Sequence, residues 1–158
     1  MNGKLHLRDE FSCEHESLTN YITRYAGQDS KKDLARCFVL VDEHNRVKGY
    51  YTLSTASIHR SEIPEKYKSK IPDGYSIPAV LIGRLARDLS MKGPGCGQAL
   101  MINAFIRIAD LTQNIGAMAV IVDPIDEIAV SFYSKYGFEK LDSGKMFIPM
   151  SMVRKLVG

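Results

Sequence analysis

The sequence predicts a mixed α/β domain, and three observations carry that expectation. Runs rich in β-branched and aromatic residues alternate with helix-periodic stretches through the second half of the chain. The apolar run at residues 117–122 is continuous rather than alternating, the pattern of a strand covered on both faces. Three glycines crowd positions 93 to 97, between a strand-like run and a long helix-like one. The order strand, loop, helix, strand, helix, strand fits a central mixed sheet flanked by helices, and neither a sandwich nor a bundle.

Each element has its own signal. Residues 16–26 place Leu18, Ile22 and Tyr25 at helical spacing. Residues 37–41 and 47–54 are β-rich and are separated by Asp42-Glu43-His44-Asn45-Arg46, which predicts an antiparallel hairpin. Residues 59–78 contain Pro64, Pro72, Asp73-Gly74 and Pro78, breakers that predict an excursion between core elements. A strand is expected over 79–85, a tight loop over 92–97 and a long helix over 98–114, with Ile102, Phe105, Ile106 and Ala109 on one stripe. After the buried strand at 117–122 comes a second helix at 128–136. Its Ala129, Phe132, Tyr133 and Tyr136 share a face, and Gly137 supplies its C-terminal stop. A last strand is expected over 147–153. With no internal repeat, low-complexity tract or Pro/Gly/Ser linker, residues 1–158 read as one domain, long enough to bury a core without staples.

Composition excludes several classes. Hydrophobic residues make up 45% and charged residues 25%, so the chain is neither disordered nor fibrous. The longest apolar run, 117–122, is far short of the ~20 residues of a membrane span, so no membrane partner is expected. Residues 1–9 alternate polar and charged side chains and lack an apolar signal core. Three scattered cysteines, Cys13, Cys37 and Cys96, suit reduced thiols, and a cytoplasmic location is expected. The net charge of +3, from 21 basic and 18 acidic residues, permits an anionic partner without demanding one. Lys66, Lys68 and Lys70, with Lys31, Lys32, His59 and Arg60, could form basic patches, but a solvated lysine-rich surface is the simpler reading.

The glycine loop carries the chemistry. Glycine accepts positive φ and lets a backbone approach a ligand closely. Successive amides can then converge on an anion at the positive end of the following helix, and a diphosphate is the anion that suits such a loop best. Two nucleotide motifs are absent: there is no GxxxxGK[ST], and glycines at 93, 95 and 97 miss the GxGxxG spacing.

The stretch Gly83-Arg84-Leu85-Ala86-Arg87-Asp88, followed by Lys92-Gly93-Pro94-Gly95-Cys96-Gly97-Gln98-Ala99-Leu100, resembles the core motif Q/R-x-x-G-x-G/A of GNAT acetyltransferases. Gly95 and Gly97 match it. Lys92 stands where Arg or Gln is usual, and Pro94 removes one possible amide donor. Phe11-Ser12-Cys13 with Ser17-Leu18 is similar to the F-x-C-G-x-x-x-L opening of one branch, the toxins of type II toxin–antitoxin systems, with Glu14 in place of the glycine. Gly49-Tyr50-Tyr51-Thr52-Leu53-Ser54, the stretch from Ile77 to Ala86, and Ser131-Phe132-Tyr133-Ser134-Lys135-Tyr136-Gly137-Phe138 match the same branch. The similarity runs from about Phe11 to the last residue.

The resemblance implies an acetyl-CoA-dependent N-acetyltransferase acting on the α-amine of aminoacyl-tRNA, so stopping translation. It implies that the backbone at Leu85, Ala86 and Arg87 receives the acyl-pantetheine arm and polarises the thioester. Lys92, Gly93, Gly95, Cys96, Gly97 and Gln98 would hold the diphosphate. It further implies a homodimer and a ribbon-helix-helix antitoxin, with DNA bound only through the antitoxin complex. Tyr133 falls where the family places its general acid; spacing alone would make it a core tyrosine, and only the resemblance gives it this role. Tyr136 is a weaker second candidate that packs. No metal is expected, because Cys13 and His15 have no second ligand pair at zinc-like spacing. Cys96 reads as a small residue beside the diphosphate rather than a nucleophile. His6, His44 and His59 read as surface residues. Two other functions stay open on the sequence: a GNAT enzyme acting on a protein or small-molecule amine, and a non-catalytic CoA-binding or corepressor module.

Overall fold

Six strands build one sheet: β1 (Arg36–Val41), β2 (Val47–His59), β3 (Ser76–Arg87), β4 (Ala119–Val122), β5 (Glu139–Lys140) and β6 (Met146–Pro149). Their order across the sheet is β1-β2-β3-β4-β6-β5, the mixed α/β architecture that the alternation predicts. The structure, a computed structural model, describes every residue except position 94. The described residues group into two compact units, Met1–Ser54 with Ile82–Ala104, and Thr55–Leu81 with Phe105–Gly158.

In the first unit the N-terminal helical segment is longer than predicted. It runs as α1 (Glu16–Asn20), a π-helical turn (Tyr21–Tyr25) and α2 (Ala26–Lys31). The wider turn moves the buried stripe. Tyr21, Ile22 and Ala26 are buried, whereas the predicted Tyr25 is 50% exposed. The β1–β2 hairpin is antiparallel, from Arg36 opposite Leu53 to Val41 opposite Val47, with a register shift at Leu40/Val41. Its turn is built by Asp42, whose Oδ1 accepts the amides of His44 and Arg46 at 2.9 and 3.0 Å. Asn45 takes the left-handed conformation that the turn requires, at φ 63°. Phe11, Tyr21, Ile22, Val47, Tyr50 and Ala86 pack into one core cluster.

β3 starts at Ser76, earlier than predicted, and includes Pro78. A proline lacks only the donor, and the Pro78 carbonyl still accepts from the Met118 amide at 2.8 Å. The breaker-rich excursion is therefore shorter than expected; it holds a 3₁₀ turn (Arg60–Glu62) and the short helix α3 (Glu65–Lys68). The long helix is α4 (Cys96–Leu111). Its stripe lies one position away from the predicted one. Leu100, Met101, Ala104, Phe105 and Ile108 are buried, whereas Ile106 is 53% exposed. The apolar residues are dense enough here to satisfy two helical stripes at once, so spacing alone could not choose between them.

In the second unit all four residues of β4 are buried. β4 pairs antiparallel with β6, from Ala119 opposite Pro149 to Val122 opposite Met146, and β5 pairs with the other edge of β6. Helix α5 (Glu127–Ser134) is capped by Asp126, whose Oδ1 accepts the Ala129 amide at 2.8 Å. Gly137 follows at φ 102° as the predicted stop. The expected strand at 147–153 is corrected: β6 ends at Pro149, and Met150–Val157 forms helix α6. Pro149 cannot extend a ladder, and its φ of −64° suits a helix start. Met150 and Val153 are then buried at a spacing of three while Met152 and Leu156 point outward. Among the described residues no helix is long and apolar enough to cross a membrane.

Candidate active site

The glycine loop sits in the first unit, between the end of β3 and α4. Gly93 and Gly95 have φ of 121° and 117°, a region that L side chains rarely adopt. A Cβ at either position would meet no atom within 4 Å, so the space beside both is open. The Gly95 carbonyl accepts the Ala99 amide at 2.9 Å, which starts the helical ladder. The amides of Cys96, Gly97 and Gln98 therefore belong to the first helical turn, where no intrahelical acceptor exists. Lys92, Gly93, Gly95 and Gln98 are exposed, and Gly97 is half-buried. Open, amide-rich backbone at the positive end of a 16-residue helix can receive an anion, as the sequence led us to expect. The effect expected of Pro94 lies outside the described residues.

Cys96 is buried, and burial pushes its thiol above the ordinary value, against an opposing influence of the Arg87 guanidinium. A thiol held protonated is a poor nucleophile, in line with the packing role read from the sequence. Burial likewise pushes Cys37 up, to about 11. Cys13 is half-buried, with its Sγ donating to the His15 carbonyl at 3.3 Å. No group of three or more His, Cys, Asp or Glu that could hold a metal occurs among the described residues.

Three features around the loop were not assigned from the sequence. Asp88 is buried, accepts the Ser12 amide on one oxygen and the Ser90 amide on the other, each at 2.9 Å, and faces Lys48 at 3.9 Å. Burial alone would raise its pKa; the hydrogen bonds from Ser90 and Ser12 outweigh it and hold the carboxyl below its usual range. An Asp-x-Ser directly after a strand is the local signal that could have revealed it. Arg84 lies on the same strand, its guanidinium 3.8 Å from the centroid of the Tyr21 ring. Arg87 faces Glu14 with Nη1–Oε1 at 3.4 Å. Leu85 and Arg87 are half-buried, and Ala86 joins the core.

Tyr133 lies in the second unit on α5, 7% exposed. Its ring meets Phe132 edge-on and Phe138 at a tilt, both with centroids 5.4 Å away. Its hydroxyl makes no hydrogen bond among the described residues, and burial pushes the phenol up to about 12. Tyr136 is half-buried and packs edge-on against Phe105 and Phe132, as expected of a packing residue. The lysine-rich excursion is charge-compensated: Lys66 binds Glu139 at 2.7 Å, Lys68 binds Glu65 at 2.8 Å, and Arg60 binds Asp73 at 2.9 Å. The solvated reading of that surface fits these pairs.

A phosphate-type glycine loop between a central strand and a long helix, in a mixed six-stranded sheet, is the layout of a GNAT acyltransferase. Comparison with known proteins narrows the class. The chain is 33% identical, over a 163-residue alignment covering 97% of it and 90% of the relative, to the probable toxin TacT of Sinorhizobium fredii. It is 30% identical over 150 residues, 94% of this chain and 89% of the relative, to the tRNA-acetylating toxin of Mycobacterium tuberculosis. This chain belongs to that family of GNAT-fold toxins. No family model matches it, so the assignment rests on these whole-chain relatives.

Solved structures agree. A tyrosine-to-phenylalanine mutant of KacT matches with a TM-score of 0.89 at 28% identity, over 96% of this chain and 92% of that one. AtaT complexed with acetyl-methionyl-tRNAfMet matches at 0.88 and 27%, over 98% and 94%. AtaTR bound with acetyl-CoA matches at 0.86 and 27%, over 99% and 94%. Further matches include a tyrosine-to-phenylalanine AtaT mutant bound to the C-terminus of the antitoxin AtaR and acetyl-CoA, and a KacTA–DNA complex.

Proposed function

We propose that this chain is the toxin of a type II toxin–antitoxin pair, which moves acetyl from acetyl-CoA to the α-amine of aminoacyl-tRNA and so blocks translation. The observation that carries this reading is its near full-length similarity to tRNA-acetylating toxins, joined to an open glycine loop at the start of α4. In this reading the amides at Gly95, Cys96, Gly97 and Gln98, with Gly93 for the turn and Lys92 for charge, hold the diphosphate of acetyl-CoA. The backbone at Leu85, Ala86 and Arg87 receives the pantetheine arm, and an amide there polarises the thioester carbonyl. The β4 strand is four residues long against twelve in β3, so it can pair with only part of that edge, which supports a ligand taking the rest.

The neutral α-amine attacks the thioester carbonyl, forming the N–C bond. The tetrahedral adduct then collapses, the C–S bond breaks, and the thiolate takes the proton of Tyr133. The nitrogen releases its extra proton to water, and water reprotonates Tyr133. An α-amine with pKa ~7.7–8.0 is partly neutral near pH 7, so no protein base is required. A phenol at about 12 facing a thiol of pKa ~8.5 makes a stepwise transfer uphill by roughly 5 kcal/mol, so the proton moves as the C–S bond breaks. That tyrosine-to-phenylalanine variants of KacT and AtaT exist as solved structures supports a tyrosine in this role.

The partners follow the same relatives. Toxin–antitoxin and DNA complexes of AtaT and KacT support an antitoxin that docks on this chain, and DNA contact through the complex. We assign the antitoxin to the ribbon-helix-helix type, the toxin to a homodimer, and both to the cytoplasm. The test is transfer of labelled acetyl from acetyl-CoA to a mixed pool of charged tRNA, with uncharged tRNA and Tyr133→Phe as controls. Label on charged tRNA alone, lost in the mutant, is the expected result. No label on charged tRNA with acetyl-CoA still bound would discard the toxin reading and leave another amine, or a CoA-binding module, as the function.

A further inference from the structure

Arg87 is the last residue of β3 and shares a unit with the glycine loop and the start of α4. Its Nη1 is shielded from solvent and has no hydrogen-bond partner, although Glu14 Oε1 stands 3.4 Å away. This is an ion pair without its hydrogen bond, and a shielded N–H left in that state is unfavourable. The same guanidinium acts on the thiol of Cys96, the first residue of a 16-residue helix. A cation beside the positive end of a helix is repelled unless an anion joins the two. Glu14 supplies only part of that anion, because its side chain is 43% exposed and does not close the bond to Nη1. Both residues bear on peculiarities of the loop sequence. Glu14 stands where the similar toxins carry glycine, and Pro94 removes an amide that the loop would otherwise offer.

We propose that the Arg87 side chain is an added ligand for the diphosphate of CoA, and that Glu14 is an internal anion which Arg87 leaves in order to take it. The inference rests on the acetyl-CoA reading above and deepens it. A phosphate gives Nη1 the acceptor it lacks and can engage the guanidinium fork on two oxygens. It also bridges Arg87 to the amides of the first turn of α4, turning a repulsion into a shared contact. Glu14 then acts as a built-in competitor. It keeps the guanidinium partly neutralised in the empty protein and weakens CoA binding by the strength of the pair it gives up.

Calorimetric titration with CoA, dephospho-CoA and pantetheine tests this. Dephospho-CoA keeps the diphosphate and lacks the 3′-phosphate; pantetheine lacks both. Arg87→Met is expected to weaken CoA and dephospho-CoA alike, by about tenfold or more, and to leave pantetheine unchanged. Glu14→Gln is expected to tighten the two nucleotides by roughly three- to tenfold, and to have no effect once Arg87 is Met. Arg87→Lys, which keeps the charge and loses the fork, should fall between the wild type and Arg87→Met, and tests the idea even if the methionine variant melts early. An unchanged ratio of CoA to pantetheine affinity in the Arg87 variants would overturn the proposal. Loss confined to CoA would move the contact to the 3′-phosphate and overturn the diphosphate assignment. Equal tightening by Glu14→Gln with and without Arg87 would remove Glu14 from the role. Failure of the wild-type chain to bind CoA at all would sink the acetyl-CoA reading itself, and this inference with it.

Discussion

The Asp88 carboxylate accepts the Ser12 amide at 2.9 Å, across 76 positions of sequence, while its other oxygen accepts the amide of Ser90. The Asp88 amide in turn donates to the Lys48 carbonyl at 2.8 Å, and the Leu89 amide to the Ser12 carbonyl at 2.8 Å. One buried side chain thus ties the N-terminal segment, β2 and the entry to the glycine loop together. Its role is to position the loop.

Asp88→Ala leaves the Ser12 and Ser90 amides without their acceptor. We expect a loss of about 3 kcal/mol, or roughly 6–12 °C in melting temperature. The sign of the pH effect follows from the depressed pKa. Stability from Asp88 is present above the ordinary carboxylate value of ~3.9 and is lost as pH falls below it through the folded value. Urea midpoints at pH 7 and pH 3 check both statements. A wild-type minus Asp88→Ala difference that is as large at pH 3 as at pH 7 would refute the ionised form as the source.

Tyr133→Phe keeps the ring packing against Phe132 and Phe138 and removes only the hydroxyl, which has no hydrogen-bond partner among the described residues. The variant should fold with unchanged melting temperature and bind acetyl-CoA as the wild type does. Turnover on charged tRNA should fall by about 10²–10⁴, the range of a lost general acid. Growth arrest on expression should disappear with it. A variant that turns over normally would return Tyr133 to the purely packing role that its spacing alone suggests.

The core was legible where residue type left one solution. The buried strand at β4 and the stop at Gly137 came directly from a continuous apolar run and a lone glycine after an apolar face. Legibility failed where two solutions fitted equally. Residues 100–108 satisfy two helical stripes, and only packing selects Ile108 over Ile106. The π turn at Tyr21–Tyr25 has no local signature, so Tyr25 was assigned to a face it leaves. At the C-terminus Pro149 reads equally as a strand residue or as a helix start, and burial of Met150 with Val153 decides for the helix. In the site, the glycines spoke for themselves in the sequence. Asp88 and the Glu14–Arg87 pair did not, because partners 76 and 73 positions apart leave no mark on local pattern.

Gly95 is at φ 117°, where a side chain is strained even though a Cβ would touch nothing within 4 Å. Gly95→Ala should therefore act through backbone conformation rather than collision. Strain of about 1–3 kcal/mol will be relieved by a shift of the loop, which moves the first amides of α4. The expected result is a loss of acetyl-CoA affinity of roughly tenfold, with a much smaller change in melting temperature. Pantetheine affinity, tied to β3 instead, should hold. Equal losses for acetyl-CoA and pantetheine would place the loop's influence elsewhere than on the phosphates.

The pH profile separates the two proton positions in the proposed reaction. The attacking amine must be neutral, so kcat/KM should rise tenfold per pH unit and level off through about 7.7–8.0, the range of an α-amine. Tyr133 must be protonated, and burial pushes it up to about 12, so activity that depends on it is present below that value and is lost only as pH rises through it. A plateau from pH 8.5 to 10 is therefore expected, without the falling limb that a solvent-exposed tyrosine near 10 would give. The measurement uses tRNA carrying its amino acid through an amide, which survives alkaline pH where the natural ester hydrolyses. A falling limb between pH 9 and 10 that vanishes in Tyr133→Phe would mean that Tyr133 titrates as an exposed phenol, and that the shielding which keeps it protonated is lost when the substrates bind.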